Sequence, residues 1–341
     1  MSVTRDDVAR RAGVSSATVS YVINQGPRPV AEKTRARVLH AIQEMGYEPS
    51  HIARSLRLKK SNSIAIILPD NSNPFFAAVE RGVSEAAFKA GYSLITCHSA
   101  YDVERETGFV ALIRSKQVDG VVLMPSAQTV PALDLLRQHG IPVVVADRRV
   151  PLPSVPCVTA DDFRGGIMAT RYLLELGHRR IAFVARPAYL LHSTDRLRGY
   201  HAALKEFGVT ARPEWVVKGG FTFEAGADAM RELLKLSPRP SAVFAYNDIQ
   251  ALGAMRAALE AGLRIPEDVS IVGFDDIPVA AYVTPPLTTV SQPKHEMGRL
   301  ATELLVRQMT AQSVTARTRH TVLKTELIVR RSTGPPSATS S

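Results

Sequence analysis

Val3-Thr4-Arg5-Asp6-Asp7-Val8-Ala9-Arg10-Arg11-Ala12-Gly13-Val14-Ser15-Ser16-Ala17-Thr18-Val19-Ser20-Tyr21-Val22-Ile23-Asn24 reads as two short helices joined by a glycine turn. Thr4 followed by Asp7 is a capping-box-like start, Val8, Ala9 and Ala12 supply one apolar side, and Gly13 breaks the helix. Ser15 can cap the second helix, in which Val19, Val22 and Ile23 recur at helical spacing. That leaves Ser16, Ala17, Ser20, Tyr21 and Asn24 on another face, free to touch something else. After the turn Gln25-Gly26-Pro27-Arg28-Pro29, a third helix from about Ala31 to Met45 is expected to bury Val38, Ile42 and Met45, with Lys33, Arg35 and Arg37 outside. Two helices around a tight turn, with an exposed second helix, match a helix-turn-helix that lays its recognition helix in the DNA major groove; a three-helix protein-interaction module is the alternative.

Charge points the same way. The chain carries a net +10, and residues 1–60 hold 11 Lys and Arg against 5 Asp and Glu, a local +6. Residues 317–341 add +4, and residues 61–316 carry 26 charges of each sign. A small basic head on a neutral body suits a polyanion, because Lys and Arg gain affinity there by displacing condensed counterions. The 341 residues imply two or three domains, and 45% hydrophobic with 22% charged residues is a globular balance. Apolar runs such as Ile64–Leu68 are strand-sized, so no membrane span is expected; without an apolar leader at the N-terminus, a cytoplasmic location is expected. Cys97 and Cys157 lack metal or redox spacing and are expected to be buried and reduced.

Beyond Ser61, strand and helix patterns alternate: strands at Ile64–Leu68, Ser93–Cys97, Gly120–Met124 and Val143–Ala146 are separated by helices, and a second series runs from about Asp161 to Phe274. The fold class is thus an all-α head followed by an α/β, two-lobed body with open parallel sheets. In such sheets ligands collect outside the carboxyl ends of the strands, where Asp70, Asn71, Asp147, Arg186, Asn247, Asp248, Asp275 and Asp276 fall.

The run from Val3 to Asn24, its continuation Lys33-Thr34-Arg35-Ala36-Arg37-Val38, and Gly46-Tyr47-Glu48-Pro49-Ser50-His51-Ile52-Ala53-Arg54-Ser55-Leu56 resemble the N-terminal signature of the lactose/galactose repressor (LacI/GalR) family of bacterial transcription regulators. The likeness continues through His178-Arg179-Arg180-Ile181, Arg196-Leu197-Arg198-Gly199-Tyr200, Asn247-Asp248, Val269–Asp276 and Pro285–Val290, so it covers all but about the last ten residues. It implies a periplasmic-binding-protein-like sensor. Expected domains are a helix-turn-helix at 1–46, a hinge helix and linker at 47–60, an effector-binding and dimerisation domain at 61–331, and a disordered tail at 332–341. Lobe one is expected to take about residues 61–160 plus 291–320, and lobe two about 161–290 plus 321–331.

By resemblance, Ser16, Ala17 and Tyr21 read bases, Thr18 and Asn24 position the head on phosphates, and Thr4, Ser15 and Ser20 complete the DNA-facing set. The segment Pro49–Leu58 is too short to be a stable helix alone; the resemblance implies that it pairs with its twofold mate in the minor groove, with Leu56 as wedge and Ala53 beside it. Ser50, Arg54 and Arg57 belong to that contact. Effector contacts are carried over to Asn73, Phe75, Phe76, Asp147, Arg196, Phe221, Asn247 and Asp275. Carboxylate, guanidinium and amide groups each bind adjacent hydroxyls, and an aromatic ring covers the apolar face of a sugar.

The expected function is a homodimeric repressor of carbohydrate-utilisation genes on a pseudopalindromic double-stranded operator, released by a small sugar or sugar phosphate, with no cofactor, metal or membrane partner. A corepressor-dependent regulator answering to a non-sugar metabolite is the alternative, and an α/β enzyme is the remote one. The chain has no GxSxG, GxxxxGK[ST] or HExxH motif and no GxGxxG after its first strand, and an enzyme would not explain the basic head.

Overall fold

The structure, a computed structural model, describes residues 3–24, 29–47, 60–126, 130–150, 152–186, 194–310 and 320–337. The chain divides into two compact units, residues 1–61 and 62–341. The expected hinge contacts Ser50, Ala53, Arg54, Leu56 and Arg57 lie outside the described residues.

In the first unit, helices α1 (Arg5–Ala12), α2 (Ser16–Asn24) and α3 (Glu32–Met45) enclose a small core of Val8, Val19, Val22, Val38 and Ala41. Both expected starts hold. The Thr4 backbone N–H donates to Asp7 Oδ2 at 3.0 Å while Thr4 Oγ1 accepts from the Asp7 N–H, and Ser15 Oγ accepts from the Thr18 N–H at 3.2 Å. Gly13 and Gly46 end α1 and α3 at φ 66° and 60°, the left-handed region that glycine enters without a Cβ penalty. One detail differs from expectation: Ala41, not Ile42 or Met45, takes the fully buried place in α3, and Arg35 is half-buried. The buried stripe runs through Val38 and Ala41 at i, i+3, so Ile42 and Met45 sit at its edge.

The second unit holds two six-stranded sheets. Sheet one contains β1 (Ser63–Leu68), β2 (Ser93–His98), β3 (Gly120–Leu123), β4 (Val143–Asp147), β5 (Cys157–Ala160) and β11 (His320–Leu323), in the order β11-β5-β4-β3-β1-β2, all parallel. Sheet two contains β6 (Ile181–Ala185), β7 (Val216–Lys218), β8 (Ala242–Ala245), β9 (Ser270–Asp275), β10 (Thr288–Ser291) and β12 (Glu326–Ile328), in the order β12-β10-β9-β8-β6-β7, with only β12 antiparallel. β1, β8 and β9 are buried along their whole length, as parallel strands covered on both faces must be. Helices α4 (Pro74–Lys89), α5 (Val103–Ser115), α6 (Val130–Gln138) and α11 (Lys294–Met309) belong to lobe one. Lobe two has α7 (Asp162–Glu175), α8 (Thr194–Glu206), α9 (Phe223–Leu234) and α10 (Asp248–Glu260). Among the described residues no helix is long and apolar enough to cross a membrane, and both cysteines are buried thiols.

Among the described residues three helix pairs, α4 with α11, α7 with α8 and α9 with α10, are packed backbone to backbone through glycines. A Cβ at Gly166 of α7 would collide with the Arg196 carbonyl of α8, and one at Gly82 of α4 with the His295 carbonyl of α11. Such close approach fixes α8, and with it Arg196, against the start of lobe two.

The chain crosses between lobes three times, and two boundaries move from where the sequence placed them. Residues 321–323 belong to sheet one, because β11 pairs with β5 from His320↔Cys157 to Leu323↔Ala160; the crossing falls at Lys324 and Thr325. Ser291 still pairs with Asp275 in sheet two. The crossings lie side by side: the Asp161 N–H donates to the Leu323 carbonyl at 2.9 Å and the Thr325 hydroxyl to the Asp161 carbonyl at 3.4 Å. The tail is also corrected. Low complexity suggested disorder from residue 332, yet Ser332 is fully buried, its hydroxyl donating to the Ile271 carbonyl at 2.6 Å and accepting from the Thr288 N–H at 2.8 Å. The Gly334 carbonyl accepts from Ser270 Oγ at 3.1 Å, and residues 332–337 thus pack along lobe two.

Candidate functional site

The carboxyl ends of β1, β4, β8 and β9 converge on a cleft lined by both lobes. All eight residues expected at an effector site line it: Asn73, Phe75, Phe76, Asp147, Arg196, Phe221, Asn247 and Asp275. Tyr101, Arg148 and Tyr246 complete the lining.

On the lobe-one side, Asn73 caps α4, its Oδ1 accepting from the Phe75 N–H at 2.9 Å. What it offers a ligand is therefore its NH2 group. Phe75 and Phe76 stand edge to face with centroids 5.2 Å apart. Asp147 ends β4 at φ 77°, and its Oδ2 accepts from Arg148 Nε at 3.0 Å, so the two neighbours form a closed ion pair.

Lobe two supplies a charge network. Arg196 is 4% exposed; its Nη1 donates to the Tyr246 carbonyl at 2.7 Å and lies 3.6 Å from Asp275 Oδ1, and its Nη2 donates to Asp162 Oδ1 at 3.2 Å. The guanidinium sits over the Phe274 ring, 3.7 Å from its centroid, and 4.4 Å from that of Tyr246. Asp275, at φ 119° on the end of β9, accepts from Gln292 Nε2 at 2.7 Å, and Lys294 Nζ donates to the Asp275 and Asp276 carbonyls. Gln292 lies just past β10, on the second crossing between lobes, so that crossing touches a cleft carboxylate directly. Asn247 caps α10 through Oδ1, which accepts from the Gln250 N–H at 2.9 Å, and again leaves its NH2 group for other partners.

Burial dominates the ionisation here. It pushes Asp275 up to about 7 and raises Asp162, against the opposing pull of Arg196 on both. Burial works against the charge of Arg196 too, but Asp162, Tyr246 and Asp275 outweigh it and hold the guanidinium firmly protonated. Across the mouth, Tyr101 at φ 60° stacks on Phe221 with centroids 4.3 Å apart and planes 7° apart, joining the two lobes.

Some strand-end residues do other work. Asp248 holds a loop: its Oδ2 accepts from the Ile277 N–H at 2.8 Å and its Oδ1 from Thr289 Oγ1 at 2.5 Å. Asp276 pairs with Arg330 at 2.6 Å, and Asp70 accepts from the Ser72 N–H at 2.8 Å. Of the residues the sequence did not single out, Arg148 and Tyr246 were signalled by direct adjacency to Asp147 and Asn247. Tyr101 sits in a turn after β2 and had no such signal.

In the head, Ala17 is exposed on α2, whereas Ser16, Thr18, Ser20 and Tyr21 are half-buried. The Ser16 hydroxyl donates to Asp6 Oδ1, tying α2 to α1, and Thr4, Ser15 and Thr18 are engaged in the two caps. Asn24 is the last residue of α2.

Residues 4–50 match the family of bacterial regulatory proteins, lacI family, and residues 170–333 match a periplasmic binding protein-like domain. The chain is 39% identical over 332 residues to the HTH-type transcriptional repressor CytR of Escherichia coli (strain K12), covering 97% of this chain and 96% of that one. Among solved structures it resembles the transcriptional regulator CelR–cellobiose complex, at 37% identity, TM-score 0.74, and 97% and 99% coverage. It also resembles the lac repressor dimer bound to operator and the anti-inducer ONPF, at 28% identity, TM-score 0.86, and 98% and 100% coverage. A helix-turn-helix head and a two-lobed sensor that align with such regulators from end to end leave one reading: the chain belongs to the lacI family of bacterial DNA-binding transcription regulators.

Proposed function

We propose that this regulator is a cytoplasmic repressor of carbohydrate-utilisation genes, that it acts as a homodimer on a pseudopalindromic operator, and that a small sugar in the cleft releases it. The observation that carries the proposal is the convergence of one guanidinium network, two carboxylates, two amide NH2 groups and three phenylalanines on a single cleft. Carboxylates accept from hydroxyls, Arg196 and the amides donate to them, and Phe75, Phe76 or Phe221 covers the C–H face. The relatives support each half: one is solved with cellobiose, another as a dimer on operator DNA. Sugar binding without chemistry is the role proposed, so the protein is read as a sensor and not an enzyme.

At the DNA, Ala17 presents a methyl group suited to a thymine methyl, Tyr21 is the long side chain of the reading face, and Ser16, tied to Asp6, reads by close approach. Thr4, Ser15, Thr18, Ser20 and Asn24 position the head on phosphates, and the hinge residues Ser50, Ala53, Arg54, Leu56 and Arg57 work in the minor groove. Two symmetric heads require a symmetric site. Closing the lobes on a sugar shifts the hinge pairing, a coupling of typically about 1–3 kcal/mol that is reciprocal between sugar and DNA. The test is to select genomic fragments with the purified full chain and then screen sugars for release from the tightest fragment. Selection of fragments without a symmetric site, or release by none of the sugars, would remove the proposal.

A further inference from the structure

Arg186 is not explained by its contacts among the described residues. It follows β6 and is 3% exposed, yet among the described residues its Nε and Nη2 have no hydrogen-bond partner, and its one bond there is Nη1 to the Tyr246 hydroxyl at 2.7 Å. Among the described residues no carboxylate lies within ion-pair distance of it. The contrast with Arg196 is direct. That side chain also leaves its Nε unbonded, but Asp162 and Asp275 balance its charge. A buried cation without a counter-charge is costly, and a guanidinium with two adjacent unused donors is shaped for a planar or tetrahedral group that presents two oxygens.

It is not itself a lining residue but stands directly behind the cleft wall. Arg186 lies over the Phe221 ring, 4.7 Å from the centroid, and 4.9 Å from that of Tyr246, and both rings line the cleft. Arg148, a lining residue, is close enough for its charge to oppose that of Arg186, and the Tyr101 hydroxyl lies in the field of both guanidinium groups. Burial lowers the affinity of Arg186 for its proton, with no neighbour that fully compensates. Two guanidinium groups and two tyrosine hydroxyls are therefore gathered where the two lobes meet; of the carboxylates near them, Asp147 is already closed on Arg148, and Asp70 acts on Tyr101.

We propose that Arg186 is the centre of an anion-binding subsite, so that the effector is a sugar bearing a phosphate or a carboxylate and not a neutral sugar. Arg186 supplies a two-pronged contact, Arg148 adds charge, and the hydroxyls of the same ligand meet Asp147, Arg196 and Asp275. This rests on the sugar-sensor reading above and narrows its ligand class.

The experiment is calorimetric binding to the full chain of matched probes: ribose and ribose 5-phosphate, glucose and glucose 6-phosphate, and gluconate as a carboxylate, with inorganic phosphate as a control. The expected result is that at least one phosphorylated or carboxylated sugar binds about tenfold or more tightly than its neutral counterpart. Arg186→Gln erases that margin while leaving neutral-sugar affinity within about twofold, and Arg186→Lys keeps part of it. The phosphate and carboxylate arms separate the two sources of the anion. Equal affinity for neutral and anionic members overturns this inference and leaves the sugar reading standing; no binding by any probe overturns both. Equal weakening of both members by Arg186→Gln would make Arg186 a mere prop for Phe221 and Tyr246. The unliganded Arg186→Gln protein is expected to melt no lower than wild type, because the lost cation was unpaired, and a marked fall in Tm would assign it a structural role instead. If the variant does not fold, the wild-type comparison of neutral with anionic sugars decides alone.

Discussion

The two walls of the cleft are built differently. The lobe-one wall is a set of local devices: a cap at Asn73, an edge-to-face phenylalanine pair, and an ion pair between the sequence neighbours Asp147 and Arg148. The lobe-two wall is a network in which Arg196 of α8 is bound to α7 through Asp162, to β9 through Asp275 and to the end of β8 through the Tyr246 carbonyl. Gln292 then ties that network to a crossing between lobes. A network with many fixed partners is preorganised and transmits a loss widely, whereas a local pair contains it. Lobe two is therefore expected to set ligand affinity, and lobe one to close over the ligand.

The largest expected effect is at the network's centre. Arg196→Ala leaves Asp162 and Asp275 buried without their cation, so it should cost about 3–5 kcal/mol of stability and weaken sugar binding by more than about a hundredfold. Denaturant titration and calorimetry measure the two, and an unchanged effector affinity would remove Arg196 from the site. Next comes its support. Gly166→Ala forces α7 from α8 at the Arg196 carbonyl and should destabilise by about 1–3 kcal/mol while weakening the effector, although the glycine touches no ligand. If stability falls but affinity does not, the network tolerates displacement and the contrast between walls weakens.

The pH dependence is smaller. Folding raises Asp275 from 3.8 to about 7, so its contribution to stability is fully present below 3.8 and is lost as pH rises through about 7. Effector affinity should move oppositely, because the ionised carboxylate is the better acceptor of sugar hydroxyls. Binding is expected to tighten from pH 6 to pH 8, by up to about tenfold, and Asp275→Asn should flatten the profile. A profile unchanged by that substitution would assign the titration elsewhere. Smallest is the contact between the walls: Phe221→Leu removes the stack on Tyr101 and should weaken the effector only about threefold to tenfold.

Much of this was legible in the sequence because it is local. The caps at Thr4 and Ser15, the glycine ends and the strand-end polar residues are spaced by helix and strand geometry, and all eight expected cleft residues came together. What escaped was non-local. The pairing of β11 with β5 joins residues 320–323 to 157–160, and Ser332 finds its partners at Ile271 and Thr288, so composition alone suggested a loose tail. Tyr101 reaches the cleft from a turn with positive φ that has no periodic signal. The Ser16 bond to Asp6 likewise depends on how α2 crosses α1.

The most direct measurement is the affinity of the full-length protein for its selected operator, by fluorescence anisotropy at fixed salt, with and without a saturating sugar from the screen. The expected result is a fivefold to roughly 150-fold weakening in the wild type, abolished in Arg196→Ala while sugar-free operator binding is retained. Operator affinity unmoved by a sugar that calorimetry shows to be bound, or tightened by it, would contradict release of this repressor through its cleft.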